Sequence, residues 1–415
     1  MNGKTINKIL LDTAYIRTGG SKEEKRCAEY LMSICEQNGF CAKKESFGVT
    51  MYDTKVAKLT VDGKDIPCTG YWGAANKAVK AELYYLRGTD NLSLKMCKDK
   101  IVLLDSGLGY GIYDKLVANG AIGVITYNGN LYFNDRDIDQ KEIRFTIQEE
   151  NRIPAVNIHV DDAFDVVKGK GKIAEIILEQ TQYIGESSNV ILDFEGKTDE
   201  TIVISAHYDS TALSTGAYDN MSGCIGLLYL AEYFSSIPHK RRIRLLWCGS
   251  EERGLLGSLA YCRMHKDELK NTVLNINLDM LGSVMGEFVA FSCVNEEMTD
   301  FLGDFFEKHG FPASIRHAIR SSDSNSFVYY DVPAVSFARY APSNIGSIHT
   351  RYDRSEMISD IQLLEDLKII AEFSEHFANS VDFGVPMNIS EIIKTDVEKY
   401  MSRKISSVCG GGESK

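Results

Sequence analysis

His207 and Asp209 follow a strand-like run at 202–205, Glu251 and Glu252 follow one at 242–248, and Asp279 follows one at 273–278. His349 lies in the loop after 335–337, and Asp219 stands just before a helical run at 220–234. In an open α/β sheet, ligands bind in the crevice beyond the carboxyl ends of the strands. Carboxylates and imidazoles gathered there repel one another or lose hydration unless a cation sits between them. The residue types therefore point to a metal site, with enough ligands for two ions. A divalent ion lowers the pKa of a bound water toward about 7, and two ions about 3.5–4 Å apart can share that water and polarise a substrate carbonyl. Sharing needs one carboxylate that reaches both ions, with an imidazole and a further carboxylate for each. A carboxylate outside the ligand set then accepts the water's proton. The neighbours Glu251 and Glu252 suit a division into base and ligand.

The elements that must position these groups are legible. Ser21-Lys-Glu-Glu24 has the spacing of a capping box. Cys27, Tyr30, Leu31, Ile34 and Cys35 then share a helical face, and Gly39 closes it, which predicts a first helix over about 21–38. From 189 onward, strands alternate with longer helical patterns, including 220–234 and 360–379. This alternation predicts an α/β fold, a doubly wound, mostly parallel sheet flanked by helices. Between about 50 and 185 the strand-like runs are short and turn-bounded (81–86, 101–104, 122–127, 155–158, 173–178), with helices at 113–119 and 161–168. That stretch reads as an inserted β-rich or mixed module. The expected organisation is a discontinuous catalytic domain (1–51 and 183–390), the insert (52–182), and a frayed tail (391–415).

At 415 residues the chain is long for one core, which favours two domains. Its 44% hydrophobic and 25% charged residues are ordinary for a soluble enzyme, and no apolar run reaches transmembrane length. The net charge of −12 disfavours nucleic acid and anionic membranes as partners. The ten cysteines form no Cys-x-x-Cys pair and read as small buried hydrophobes of a reducing compartment. With no apolar leader at residues 1–8, the expected location is cytoplasmic, or secreted only if a leader has been removed.

The stretches His207-Tyr-Asp209, Gly216-Ala-Tyr-Asp219-Asn-Met-Ser-Gly223, Ser250-Glu-Glu-Arg-Gly-Leu-Leu-Gly-Ser258, Asn277-Leu-Asp-Met-Leu-Gly282 and His349-Thr-Arg-Tyr-Asp353 together resemble the co-catalytic zinc aminopeptidase family. That family also contains glutamate carboxypeptidase and transferrin-receptor relatives. The insert, with 98–104, 116–125 and 153–156, resembles a protease-associated domain. The resemblance implies two zinc ions, with His207 and Asp279 on one, Glu252 and His349 on the other, and Asp219 bridging them. It implies Glu251 as general base and later as acid to the leaving amine, and Asp209 as the group that orients His207 through its ring N–H. The implied activity is that of a metal-dependent exopeptidase, an aminopeptidase acting on short peptides. Where the family often has Ser-Asp-His, this chain has Ser322-Asp-Ser324. The tyrosine that holds the oxyanion in some members has no clear counterpart near 319–322, which leaves His317, Tyr329 or Tyr340 as substitutes, or the metal alone to stabilise the charge.

Other readings compete. Taken singly, His207 is a structural imidazole, Asp219 a helix cap, Glu251-Glu252 a solvated pair, Asp279 a turn former and His349 a surface residue; their coincidence at strand ends favours the joint metal reading. His239, His265 and His309 read as surface residues. Carboxypeptidase or dipeptidase action would use Arg320, Arg339, Arg351 or Arg354 to hold a free carboxylate. A receptor with a decayed site would have lost ligands first, and all are present. A one-zinc glutaminyl cyclase would not need the bridging Asp219. Gly107-Leu-Gly-Tyr-Gly111 lacks the spacing of a phosphate loop, and neither G-x-S-x-G nor H-E-x-x-H occurs. From its place between the first helix and the sheet, the insert is expected to shield the crevice and limit substrate size.

Overall fold

Apolar runs with almost no exposed position set most of the central sheet, Thr201–His207 (β1), Arg242–Cys248 (β2), Thr272–Leu278 (β3), Glu287–Cys293 (β4) and, after the short polar edge strand Ser314–His317 (β5), Ala334–Tyr340 (β6). In this computed structural model, which describes residues 1–105, 107–145 and 147–408 (403–408 as backbone alone), they lie in the order β5-β4-β6-β3-β1-β2. The strands β6, β3, β1 and β2 are mutually parallel, and β4 runs antiparallel to β6. Beyond β2 the sheet continues antiparallel into the long strand Ile173–Phe194. Continuous apolar runs of this kind belong to parallel strands covered on both faces.

Helices supply the cover. One face carries Ile202, Ile204, Leu245 and Ile276 against Gly3–Asp12 (α1), Lys22–Gln37 (α2), Ser222–Ser236 (α3), Glu296–Lys308 (α5) and Asp360–Asn379 (α7). The other carries Val203 and Leu246 against Leu256–Met264 (α4) and Ser324–Tyr329 (α6). Neighbouring residues on one strand pack into different clusters because side chains alternate across a strand. The result is the doubly wound sheet expected from the alternating pattern.

Because β1 is apolar on both faces, its hydrophobic pattern alone barely fixes its register. Buried polar contacts do so instead: Ser205 Oγ donates to Asn277 Oδ1 at 2.9 Å and accepts from Asn275 Nδ2 at 3.0 Å. In that register His207 pairs with Cys248 and Ser205 with Asn277, so the carboxyl ends of β1, β2 and β3 share one edge.

The chain divides into two compact units, Met1–Val49 with Glu186–Ser402, and Thr50–Gly185. The second holds a mixed sheet whose strands Ala78–Leu86, Ile101–Leu104, Gly123–Asn128 and Ala155–His159 are parallel, with helices Tyr110–Ala118 and Val160–Lys168. Residues 391–408, expected as part of a frayed tail, are instead a helix (α8, Glu391–Val408), because Ile393, Val397 and Met401 recur at helical spacing and are buried. Residues 409–415 lie outside the described ones.

Candidate metal centre

The shared edge of the sheet delivers the first ligand directly. His207 is the last residue of β1, so the pleat fixes the direction of its imidazole. Asp279 follows β3 by one residue, and Glu252 sits in the 3-10 turn Glu251–Arg253 after β2. Asp219 lies in the turn Ala217–Met221 ahead of α3, with a cis peptide to Asn220. His349 comes from the long connection after β6.

These five side chains converge. His207, Asp219 and Asp279 form one group, and Asp219, Glu252 and His349 a second; within each, one candidate ligand atom per residue lies within 4.8 Å of the others. Asp219 belongs to both through different oxygens: Oδ1 is 3.1 Å from His207 Nε2, and Oδ2 is 3.1 Å from His349 Nε2. Glu252 Oε1 lies 3.1 Å from His349 Nε2, and Asp279 Oδ1 lies 3.8 Å from His207 Nε2. Both of these buried carboxylate oxygens lack a hydrogen bond of good geometry among the described residues. A buried acceptor left this way costs about 1–3 kcal/mol. Such oxygens facing imidazole nitrogens across a common carboxylate are the donor set that two divalent cations would satisfy, so the residues fit the ions their pattern implies.

The electrostatics agree. Burial pulls the His207 imidazole down, but Asp209, Asp219 and Asp279 overcome it and hold the ring well above its ordinary pKa. Burial acts likewise on His349, and Glu252 with Asp219 raises it to about 11. Burial alone would raise Asp219; the hydrogen bonds of His207 and His349 bring it well below the usual carboxylate range. Glu251 is pushed well up, by burial and then by Glu252, Asp323 and Asp279 against the pull of His207. The carboxylates hold positive charge on the imidazoles, and the same field attracts a metal cation.

Neighbours fix the candidate ligands in place. Asp209, fully buried, accepts the backbone N–H of Glu251 at 2.9 Å and of Glu252 at 3.1 Å, and its Oδ1 lies 3.4 Å from His207 Nδ1. One carboxylate thus addresses both the imidazole and the glutamate pair. Asp219 does not cap α3. Asn220 takes that task, its Oδ1 accepting Gly223 N at 3.0 Å, which leaves the Asp219 carboxylate to face the histidines. Gly216 adopts φ 56, and a Cβ there would meet Asp219 O at 2.6 Å, so only glycine allows the turn. Arg17, buried, wraps the same loop by donating to the carbonyls of Tyr208, Thr215 and Gly216. Ser250, Met280 and His349 all adopt left-handed backbone (φ 54, 60 and 61). Conformations of this kind cost roughly 1–3 kcal/mol each and gather at functional sites.

Some functional neighbours carried no assigned role in the sequence. Asp353, four residues after His349, accepts Tyr218 N at 2.7 Å and Asp219 N at 3.1 Å; its place in the histidine motif was the available signal. Arg320 Nη2 lies 3.2 Å from Asp279 Oδ2, so of the arginines weighed for a free carboxylate it adjoins the ligand set, whereas Arg339 is bound to Asp366 at 2.6 Å. Asp323, in the departing Ser-Asp-Ser segment, is buried with no hydrogen bond of good geometry to either oxygen, and burial pushes its carboxyl up to about 6. Of the substitutes for the oxyanion tyrosine, His317 bonds Ser390 and Tyr329 packs on Tyr330, while Tyr340 lies under the Arg320 guanidinium at 4.8 Å. Two histidines read as surface residues are anchored instead: His265 stacks on Tyr261 and meets Glu45 at 2.8 Å, and His239 Nδ1 lies 2.8 Å from Arg241 O. Their apolar ring faces pack on aromatic neighbours, which polar flanking sequence does not reveal.

Comparison with known proteins points the same way. Residues 189–374 match the family model of peptidase family M28. The chain is similar to aminopeptidase YwaD of Bacillus subtilis, 30% identical over 280 residues, covering 64% of this chain and 58% of that protein. It thus spans little more than half the length of that relative. It is 25% identical over 342 residues to leucine aminopeptidase 2 of Trichophyton equinum, covering 77% of this chain and 67% of that one. Its fold is similar to that of BSAP, a zinc aminopeptidase from Bacillus subtilis, with a TM-score of 0.75 and 26% identity over 94% of this chain and 97% of the other.

Proposed function

We propose that this chain, whose residues 189–374 match the model of peptidase family M28, is a metal-dependent aminopeptidase that releases N-terminal residues from short peptides. The observation that carries this reading is the carboxylate of Asp219, with one oxygen on each imidazole. In this reading His207 and Asp279 hold one zinc ion, Glu252 and His349 the other, and Asp219 both. When bound, the ions lower the pKa of water and polarise the scissile carbonyl.

The remaining work falls to the chain. Glu251, beside the ligands but outside both groups, takes a proton from the attacking water and returns it to the leaving amine, so no net proton is consumed. Burial, which pushes its carboxyl up, makes it a stronger base than an exposed glutamate. Asp209 keeps His207 in the tautomer that presents Nε2, and holds Glu251 and Glu252 by their N–H groups.

The test is direct. A chelator should abolish hydrolysis of unblocked dipeptides and zinc should restore it; full activity without bound metal would end the proposal. Glu251→Gln should retain zinc while turnover falls about 10²–10⁴-fold, the usual worth of a general base.

Arg320, 3.2 Å from Asp279, supports a second reading, a carboxypeptidase or dipeptidase that receives a free carboxylate there. Turnover of C-amidated but not N-blocked peptides favours the first reading, and the reverse favours the second. The unit Thr50–Gly185 we read as a protease-associated domain. Free cysteines such as Cys27, Cys224 and Cys248 suit a cytoplasmic, reducing setting.

A further inference from the structure

Glu24 lies on α2, far along the chain from every candidate ligand, and is only 1% exposed. The capping box predicted for it is half realised. Ser21 Oγ accepts from Glu24 N at 3.0 Å, but the Glu24 carboxylate does not return to Ser21. Its Oε2 accepts Gly20 N at 2.7 Å. Its Oε1 accepts Ser250 N at 2.8 Å, Ser250 Oγ at 3.0 Å and Ser187 Oγ at 2.9 Å. The approach is close: a Cβ on Gly249 would stand 3.0 Å from Glu24 Oε1 and 2.4 Å from Ser188 O.

Three consecutive N–H groups, of Ser250, Glu251 and Glu252, therefore end on buried carboxylates, the first on Glu24 and the other two on Asp209. The segment needs such holding, since Ser250 sits in left-handed backbone at φ 54 and is followed at once by the glutamate pair. The buried Glu24 carboxyl thus ties three separate segments together, the stretch before α2 at Gly20, the long strand at Ser187 and the loop at Ser250, which is more than a helix cap requires.

We propose that Glu24 is a positioning residue for the glutamate pair, aiming Glu251 and Glu252 through the Ser250 backbone rather than by touching substrate or metal. This rests on the reading of Glu251 as base and Glu252 as ligand. Side-chain placement within about 0.5 Å governs such sites, so loosening the Ser250 anchor should show both in the metal and in the chemistry.

The test uses the full chain with Glu24→Gln, which keeps size and burial but turns one of the two acceptor oxygens into an N–H donor. Amide hydrogen exchange over 250–252 should quicken, zinc affinity in titrations of the chelated protein should fall about tenfold or more, and kcat on dipeptides should fall with KM within about twofold. Faster exchange with unchanged zinc affinity and kcat would overturn the proposal, leaving Glu24 a simple helix-to-loop tie; so would no change in any of the three. If the wild-type chain hydrolyses no peptide, the aminopeptidase reading fails, and exchange with zinc affinity still decides the role of Glu24. Should Glu24→Gln not fold, Ser187→Ala removes one of the four donors and leaves Ser250 N in place. It should move exchange and zinc affinity in the same direction by about twofold, and no shift in either would overturn the proposal.

Discussion

Among the described residues, the unit formed by Met1–Val49 and Glu186–Ser402 buries Glu24, Asp209, Asp219, Glu252, Asp279, Asp323, Asp353 and Asp366, whereas Thr50–Gly185 buries Asp139 alone. The partners differ as much as the numbers. In the second unit Asp139 meets Lys141 at 2.5 Å, and Arg136 bridges Asp161 and Asp162 at 2.8 and 2.7 Å near the surface. Exposed pairs of this sort are worth about 0–1 kcal/mol, and the unit stands on its apolar sheet. In the first unit, Asp279 and Asp366 are the buried acids with a guanidinium at ion-pair distance. Glu24, Asp209, Asp219, Glu252 and Asp353 rest on N–H groups, hydroxyls and imidazoles, and Asp323 has no hydrogen bond of good geometry among the described residues. A core that gathers carboxylates around two imidazoles suits a ligand that brings positive charge, and acids paired with Lys141 and Arg136 do not.

The sharpest way to break this contrast is Asp219→Asn. Removing the carboxylate common to both groups should lower peptide hydrolysis by about 10³-fold or more, the scale of a principal electrostatic group, and elemental analysis should find bound zinc reduced. Turnover near wild type would dissolve the distinction between the units. Next, adding zinc to chelated protein should slow hydrogen exchange in 207–220 and 249–253, because binding free energy accrues to the elements that hold the ion. Exchange in 101–104 and 123–128 should stay as it was. Asp209→Asn should be milder: the fold persists, and zinc affinity weakens about 10–100-fold in competition with a chelator. The smallest effect belongs to Asp62 in the second unit. Accepting the N–H groups of Ile173 and Lys172 holds its carboxyl below the usual range. A depressed folded pKa stabilises above the ordinary aspartate value and loses that contribution as pH falls through the folded one. Asp62→Asn should therefore lower Tm slightly at pH 7, lower it less and less as the solution is acidified below about 3.9, and leave hydrolysis untouched.

How much of this could be read beforehand follows from the range of each contact. The strands ending in His207, Cys248 and Leu278 were legible because apolar runs bounded by polar residues are local signals. The five candidate ligands can be nominated from the sequence because each lies in a short motif, and the fold brings them together. Glu24 was misjudged in part, since its spacing to Ser21 is local while its bonds to Ser250 cross 226 residues. Arg320 beside Asp279 and Asp353 beneath Asp219 are of the same kind: nothing in the flanking sequence encodes the partner. The helix Glu391–Val408 is hard to see in the sequence because only Ile393, Val397 and Met401 mark its buried face. The left-handed residues Ser250 and Met280 carry no glycine to announce them.

The polar triplet Ser205, Asn275 and Asn277 has a consequence for how this centre can vary. Since β1 would be about as greasy shifted by one position, these hydroxyl and amide contacts are what keep the His207 ring on the side of the sheet where the other four ligands arrive. A single deletion inside 201–206 would send that ring to the opposite face of the sheet while strand residues on both faces stayed apolar. The histidine at the strand end is therefore the point from which the rest of the constellation must be measured.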